Sequence, residues 1–85
     1  MMEVSHSRLT DHALAQMGRR RISEVDVRQV LASPESIHTV RAGRVVAQAV
    51  LGGYLVRVFI DVDRNPPEVV TAYRTSKIEK YRSEP

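Results

Sequence analysis

The residues best suited to chemistry are Arg57, Tyr73, His12 and the cations of TAYRTSKIEKY, the run from Thr71 to Tyr81. Arg57 stands in YLVRVFIDV, a stretch so apolar that a lone guanidinium there calls for a partner. A guanidinium grips a phosphate through two parallel hydrogen bonds, which suits Arg57 and Arg74, whereas Lys77 and Lys80 act as point charges. The phenols of Tyr73 and Tyr81 can stack on a splayed base or donate a proton, and His12 is the residue type most used for acid–base work. Arg20, two helical turns beyond His12, adds a cation, and the amide of Gln48 a donor and an acceptor. Together they read as a grip for a polyanion. Each also has a plain structural use. His12 can cap a helix, Arg57 can meet a carboxylate, Arg19 to Arg21 can form a solvated face, and Tyr73 and Tyr81 can pack a terminal helix onto a sheet.

The elements that must position these groups follow from periodicity. Thr10 caps a helix over residues 11–20, with Asp11 favouring the helix dipole and Leu9 and Leu14 at the spacing of a hydrophobic staple. At about 100° per residue, Ala13, Leu14 and Met17 share a buried side while His12, Gln16, Arg19 and Arg20 line a polar stripe. Ser23 opens a second helix, with Asp26 as its capping partner and Val27, Val30 and Leu31 facing inward; Ser33-Pro34 stops it. From Ile37 the period changes to that of strands: IHTV, RVVAQAVL, GYLVRVFIDV and PEVVTAY, separated by turn residues. A two-residue turn at Gly52-Gly53 sets Leu51 opposite Tyr54, Ala49 opposite Val56, Ala47 opposite Val58 and Val45 opposite Ile60, an apolar face for the helices to cover. The other face pairs Gln48 with Arg57 and Arg44 with Asp61. A five-residue turn before Glu68 sets Tyr73 beside Arg57, giving a Gln48, Arg57, Tyr73 row. Ser76 and Glu79 form a capping box for a short C-terminal helix bearing Ile78 and Tyr81, whose docking on the sheet brings Arg74, Lys77 and Lys80 towards that row. The expected fold is α+β: two N-terminal helices packed on a four-stranded antiparallel β-meander, with a short C-terminal helix. The edge strands at residues 37–41 and 68–73 are open to pairing with a second copy or another chain's strand.

Length and composition bound the function. Eighty-five residues support one core, so residues 1–85 are expected to form a single domain. Hydrophobic residues at 42% and charged residues at 27% suit a folded globule, and a formal charge of +3 favours an acidic partner. The chain has no cysteine, and His6, His12 and His38 lack a zinc spacing, so no metal or other cofactor is expected. No signal core or membrane-length apolar run is present, which fits a cytoplasmic protein. Glycine-rich phosphate loops and nucleophile elbows are also missing.

HALAQMGRRRI (His12 to Ile22), SEVDVRQVLASPESI and VVTAYRTSKIEKY (Val69 to Tyr81) resemble a bacterial family of small domains of unknown function. Its pattern runs H-A-x-x-R-M-x-x-R-x-I, then a β-meander, then V-x-x-Y-R-T-S-K-I-x-K-Y. Gln16 replaces the first arginine of that pattern, and Arg21 stands where glycine is common. In element order the family is similar to the BrnT toxins and more distantly to the RelE and ParE group of toxin–antitoxin toxins. That similarity implies a metal-independent endoribonuclease, active on free or ribosome-bound RNA and silenced by a cognate antitoxin. It would use His12, Arg57, Tyr73, Arg74 and Lys77 in catalysis and Arg20, Gln48, Lys80 and Tyr81 in RNA binding. The competing expectation is a non-catalytic module of the same fold that binds protein or nucleic acid.

Overall fold

The computed structural model describes residues 3–82. The chain runs through β1 (Arg8–Leu9), α1 (Asp11–Arg19), α2 (Glu24–Ala32), β2 (Ser36–Arg41), β3 (Arg44–Leu51), β4 (Tyr54–Asp61), β5 (Glu68–Thr75) and α3 (Ile78–Arg82). The architecture is α+β, with five strands in the order β1-β5-β4-β3-β2, all antiparallel except β1 beside β5.

Both N-terminal helices start at the expected caps. The Thr10 hydroxyl accepts from Ala13 N at 3.1 Å and the Ser23 hydroxyl from Asp26 N at 3.0 Å, each satisfying a first-turn donor. Asp26 contributes its backbone N–H to this cap. α1 buries Ala13 and Met17 but leaves Leu14 39% exposed, because one residue's rotation carries it from the centre of the apolar stripe to its flank. α2 buries Val27, Val30 and Leu31. These side chains join Val45, Ala47, Ala49, Val56, Val58, Ile60, Val69 and Ala72 in one cluster on one face of the sheet.

The β3–β4 register is the one the Gly52-Gly53 turn dictates, from Leu51↔Tyr54 to Arg44↔Asp61. Across β4–β5, Arg57 faces Tyr73 as expected, but by a different route. Glu68 pairs with Asp61, which alone would bring Ala72 opposite Arg57. A bulge between the Ile60↔Val69 and Phe59↔Thr71 pairs inserts Val70 and restores the register. Without that extra residue Val69 and Ala72, three apart, would point to opposite faces; with it both are fully buried in the core.

The fold has five strands where four are expected. β1 is two residues long and carries no alternation for a sequence pattern to reveal. Pairing arises because the chain entering α1 passes the outer edge of β5: Arg8 N donates to Pro67 O at 2.8 Å, and the Thr10 hydroxyl donates to Val69 O at 2.9 Å. The β5 edge is thus partly covered, whereas β2 lies at the outer edge of the sheet. α3 begins at Ile78, where the Thr75 hydroxyl accepts from Lys77 N at 3.0 Å. Among the described residues, no helix is long and apolar enough to cross a membrane.

Candidate functional site

The face of the sheet turned away from α1 and α2 carries the Gln48–Arg57–Tyr73 row. Gln48 is 1% and Arg57 8% exposed, so both polar groups are buried and must be satisfied within the protein. Arg57 Nε donates to Gln48 Oε1 at 2.9 Å, and Arg57 Nη1 donates to the Tyr73 hydroxyl at 2.7 Å. α3 lies across this row. The ring of Tyr81 sits 4.4 Å from the Arg57 guanidinium carbon, and Gln48 Nε2 donates to the Tyr81 carbonyl at 3.3 Å. Phe59 stacks on Tyr73 at 5.9 Å and Tyr81 meets Tyr73 edge-on at 6.3 Å, so three aromatic rings surround one guanidinium.

Burial pushes the Tyr73 phenol above its ordinary pKa; Arg57 pulls it down, and Tyr81 adds to the rise. The phenol therefore keeps its proton at neutral pH. It is placed as a hydrogen-bond or proton donor beside a fixed positive charge, and not as a base.

The other expected site residues are distributed differently. His12 is exposed on α1, whose buried side packs on the opposite face, so the sheet separates it from Arg57. Arg74 pairs across β4 with Val56, a core residue, and stacks on Tyr54 at 4.7 Å, again on the α1/α2 side. Strand alternation requires this once Tyr73 faces Arg57. Lys77 and Lys80 are exposed, with Lys80 Nζ 5.2 Å from the Tyr81 ring. Arg20 caps the C-terminus of α1 and reaches round the β5 edge, donating to Ala72 O at 2.8 Å and to the Thr71 hydroxyl at 3.2 Å. Thr71 pairs with Phe59 on the Arg57 side, so Arg20 stands at the rim of that face. Arg21 has φ 56°, a left-handed conformation that glycine adopts without the Cβ penalty.

Two features of this face escaped the sequence reading. His38 pairs with Val46 and so lies on the same face as Gln48; its Nε2 is buried and has no hydrogen-bond partner among the described residues. The Ala42-Gly43 turn alone would set His38 opposite Ala47 on the core face; the register shift between Thr39 and Arg41 carries it to this one, and nothing in the strand's residue pattern announces that shift. The second is a tie between α3 and the start of β2: Arg82 donates from Nε and Nη2 to the two carboxylate oxygens of Glu35, both at 3.3 Å. Glu35 Oε2 also accepts from Val50 N at 3.1 Å, and this bond, with Arg82 second, holds the carboxyl below its usual range. Among the described residues no group of three or more His, Asp or Glu is placed to hold a metal ion.

The fold and site define a small α+β domain with one guanidinium buried among aromatic rings beneath a terminal helix. The chain belongs to the family described as Domain of unknown function (DUF4258), which it matches over residues 9–74, from β1 to the penultimate residue of β5. No curated protein and no solved structure matches the chain.

Proposed function

We propose that the protein is the toxin of a bacterial toxin–antitoxin pair, a RelE/BrnT-like endoribonuclease centred on Arg57 and Tyr73. The observation that carries this reading is the 2.7 Å hydrogen bond between a buried guanidinium and a protonated phenol on the face that α1 and α2 leave uncovered. In the reaction the RNA 2′-oxygen attacks the neighbouring phosphorus and the bond to the 5′-oxygen breaks. Arg57 stabilises the charge on the phosphorane, and Tyr73 protonates the leaving 5′-oxygen. His38, whose Nε2 on this face has no hydrogen-bond partner among the described residues, takes the 2′-hydroxyl proton in place of His12 across the sheet. The products are a 2′,3′-cyclic phosphate and a 5′-hydroxyl. Arg20 at the rim, with Lys77 just before α3 and Lys80 within it, attracts the RNA backbone, and the outer edge of β2 offers a pairing site for the antitoxin.

A second reading, a non-catalytic binding module, is favoured by one observation: Arg57 is only 8% exposed, and its charge is already met by Gln48, Tyr73 and Tyr81. Incubating the folded protein with RNA in the presence of EDTA separates the two. Cleavage, together with growth arrest when the protein is expressed without a partner, supports the nuclease. Intact RNA that is nonetheless bound, with affinity falling steeply as salt rises, supports the module. Intact and unbound RNA removes both RNA readings.

A further inference from the structure

We propose that α3 is a built-in occupant of the RNA site, with Tyr81 holding the place of a nucleobase, and that single-stranded RNA binds by displacing it. This rests on the RNA reading given above. A base held by this face would lay its ring on the Arg57 guanidinium and accept a hydrogen bond from the Gln48 amide through an exocyclic carbonyl. Tyr81 does both within the chain. Its ring lies 4.4 Å from the guanidinium carbon, and its backbone carbonyl accepts from Gln48 Nε2 at 3.3 Å.

The means by which α3 is held suit displacement. It has five residues, none of them buried, and is too short to persist as a helix by itself. Apart from the Tyr81 contacts that a base would replace, it is tied to the fold by Arg82 to Glu35, which joins side chains that are 47% and 40% exposed, the kind of ion pair that contributes little. On the same face Val46, Gln48 and Leu55 are at most 1% exposed, outside the cluster formed with α1 and α2, and among the described residues His38 Nε2 is buried without a hydrogen-bond partner. A buried nitrogen left unsatisfied is costly in a closed core but gains a ligand or water partner when its cover lifts.

The test uses the full chain and a fluorescent single-stranded 2′-O-methyl oligoribonucleotide, which cannot be cleaved by 2′-oxygen attack, with affinity read by anisotropy at one salt concentration. Because closure lowers apparent affinity by the open fraction, Arg82→Ala is expected to bind about two- to five-fold tighter than wild type and Tyr81→Ala about ten-fold tighter. Amide exchange over residues 78–82 is expected to accelerate when wild type binds the oligonucleotide. Circular dichroism checks that each variant is folded, and if Tyr81→Ala does not fold, the exposed Arg82→Ala decides. If wild type binds the oligonucleotide but the variants bind equally or more weakly, or if α3 becomes more protected, the occupant idea is overturned and the RNA reading stands. If neither wild type nor variants bind, both are overturned.

Discussion

Replacing Arg57 by alanine should unfold the protein more readily, which changes how any loss of activity in that variant is read. In the wild type the guanidinium donates to Gln48 and Tyr73 and lies against the Tyr81 ring. Hydrogen bonds from a charged donor contribute about 1.5–3 kcal/mol each, and a partly desolvated cation–π contact adds about 1–2 kcal/mol. Alanine also strands the Gln48 carbonyl oxygen in a residue that is 1% exposed. Opposing these losses, the variant no longer bears the cost of burying a charge, several kcal/mol in itself. The net is a destabilisation of about 2–4 kcal/mol. Urea denaturation followed by far-UV circular dichroism measures it: with a slope of about 1 kcal/mol per molar, the midpoint should fall by about 2–4 M. A shift under about 0.5 kcal/mol, within the range of ordinary surface substitutions, would refute the reasoning. It would mean that Arg57 is solvated and that α3 does not sit over it. Loss of cleavage in Arg57→Ala therefore does not by itself locate a catalytic contact. Tyr73→Phe, which gives up one of those hydrogen bonds at a cost of about 1.5–3 kcal/mol but keeps the ring and the Arg57–Gln48 bond in place, separates chemistry from folding more cleanly.

Three further outcomes follow from the geometry. In a spectrophotometric titration, the phenol of Tyr73 should ionise above the ordinary tyrosine range, and Tyr73→Phe should remove that phase; a wild-type curve without it contradicts the burial of Tyr73. The hydrogen bond from Arg44 holds the Asp61 carboxyl below its usual value, so its stabilisation is complete above the ordinary aspartate range and is lost as pH falls through the depressed value. The urea midpoint should decline with acidification through that window, and less so in Asp61→Asn. Arg20→Ala should destabilise by about 1–2 kcal/mol by releasing Ala72 O and Thr71 at the β5 edge, and amide exchange along residues 71–75 should rise; unchanged exchange would contradict that role.

Where the sequence was legible, a single local constraint fixed many residues at once. One glycine pair set the whole β3–β4 register, and with it Gln48 beside Arg57, because a one-residue slip would bury the guanidinium among the valines. The Arg57–Tyr73 pairing was reached with a five-residue turn; the chain instead combines an earlier pairing at Glu68 with a bulge at Val70. The spacing of Val69 and Ala72 carries that information, since only a bulge lets both face the core. Arg74, expected beside that row, faces the other way, as the neighbour of Tyr73 in a strand must. β1 and the Glu35–Arg82 tie were not, because a two-residue strand and a salt bridge 47 positions apart leave no periodic trace. His12 drew attention by residue type alone, and type says nothing about which side of the sheet its helix packs on.

The central claim is that RNA is cut by its own 2′-hydroxyl at the Arg57–Tyr73 pair. The direct measurement compares a single-stranded RNA with the same strand carrying one 2′-deoxynucleotide immediately 5′ of a mapped cleavage point, with EDTA present. The account predicts cleavage of the first to a 2′,3′-cyclic phosphate, none at the substituted position of the second, and loss of cleavage by folded Tyr73→Phe. Cutting at the deoxy position, or full activity without the Tyr73 hydroxyl, would contradict it.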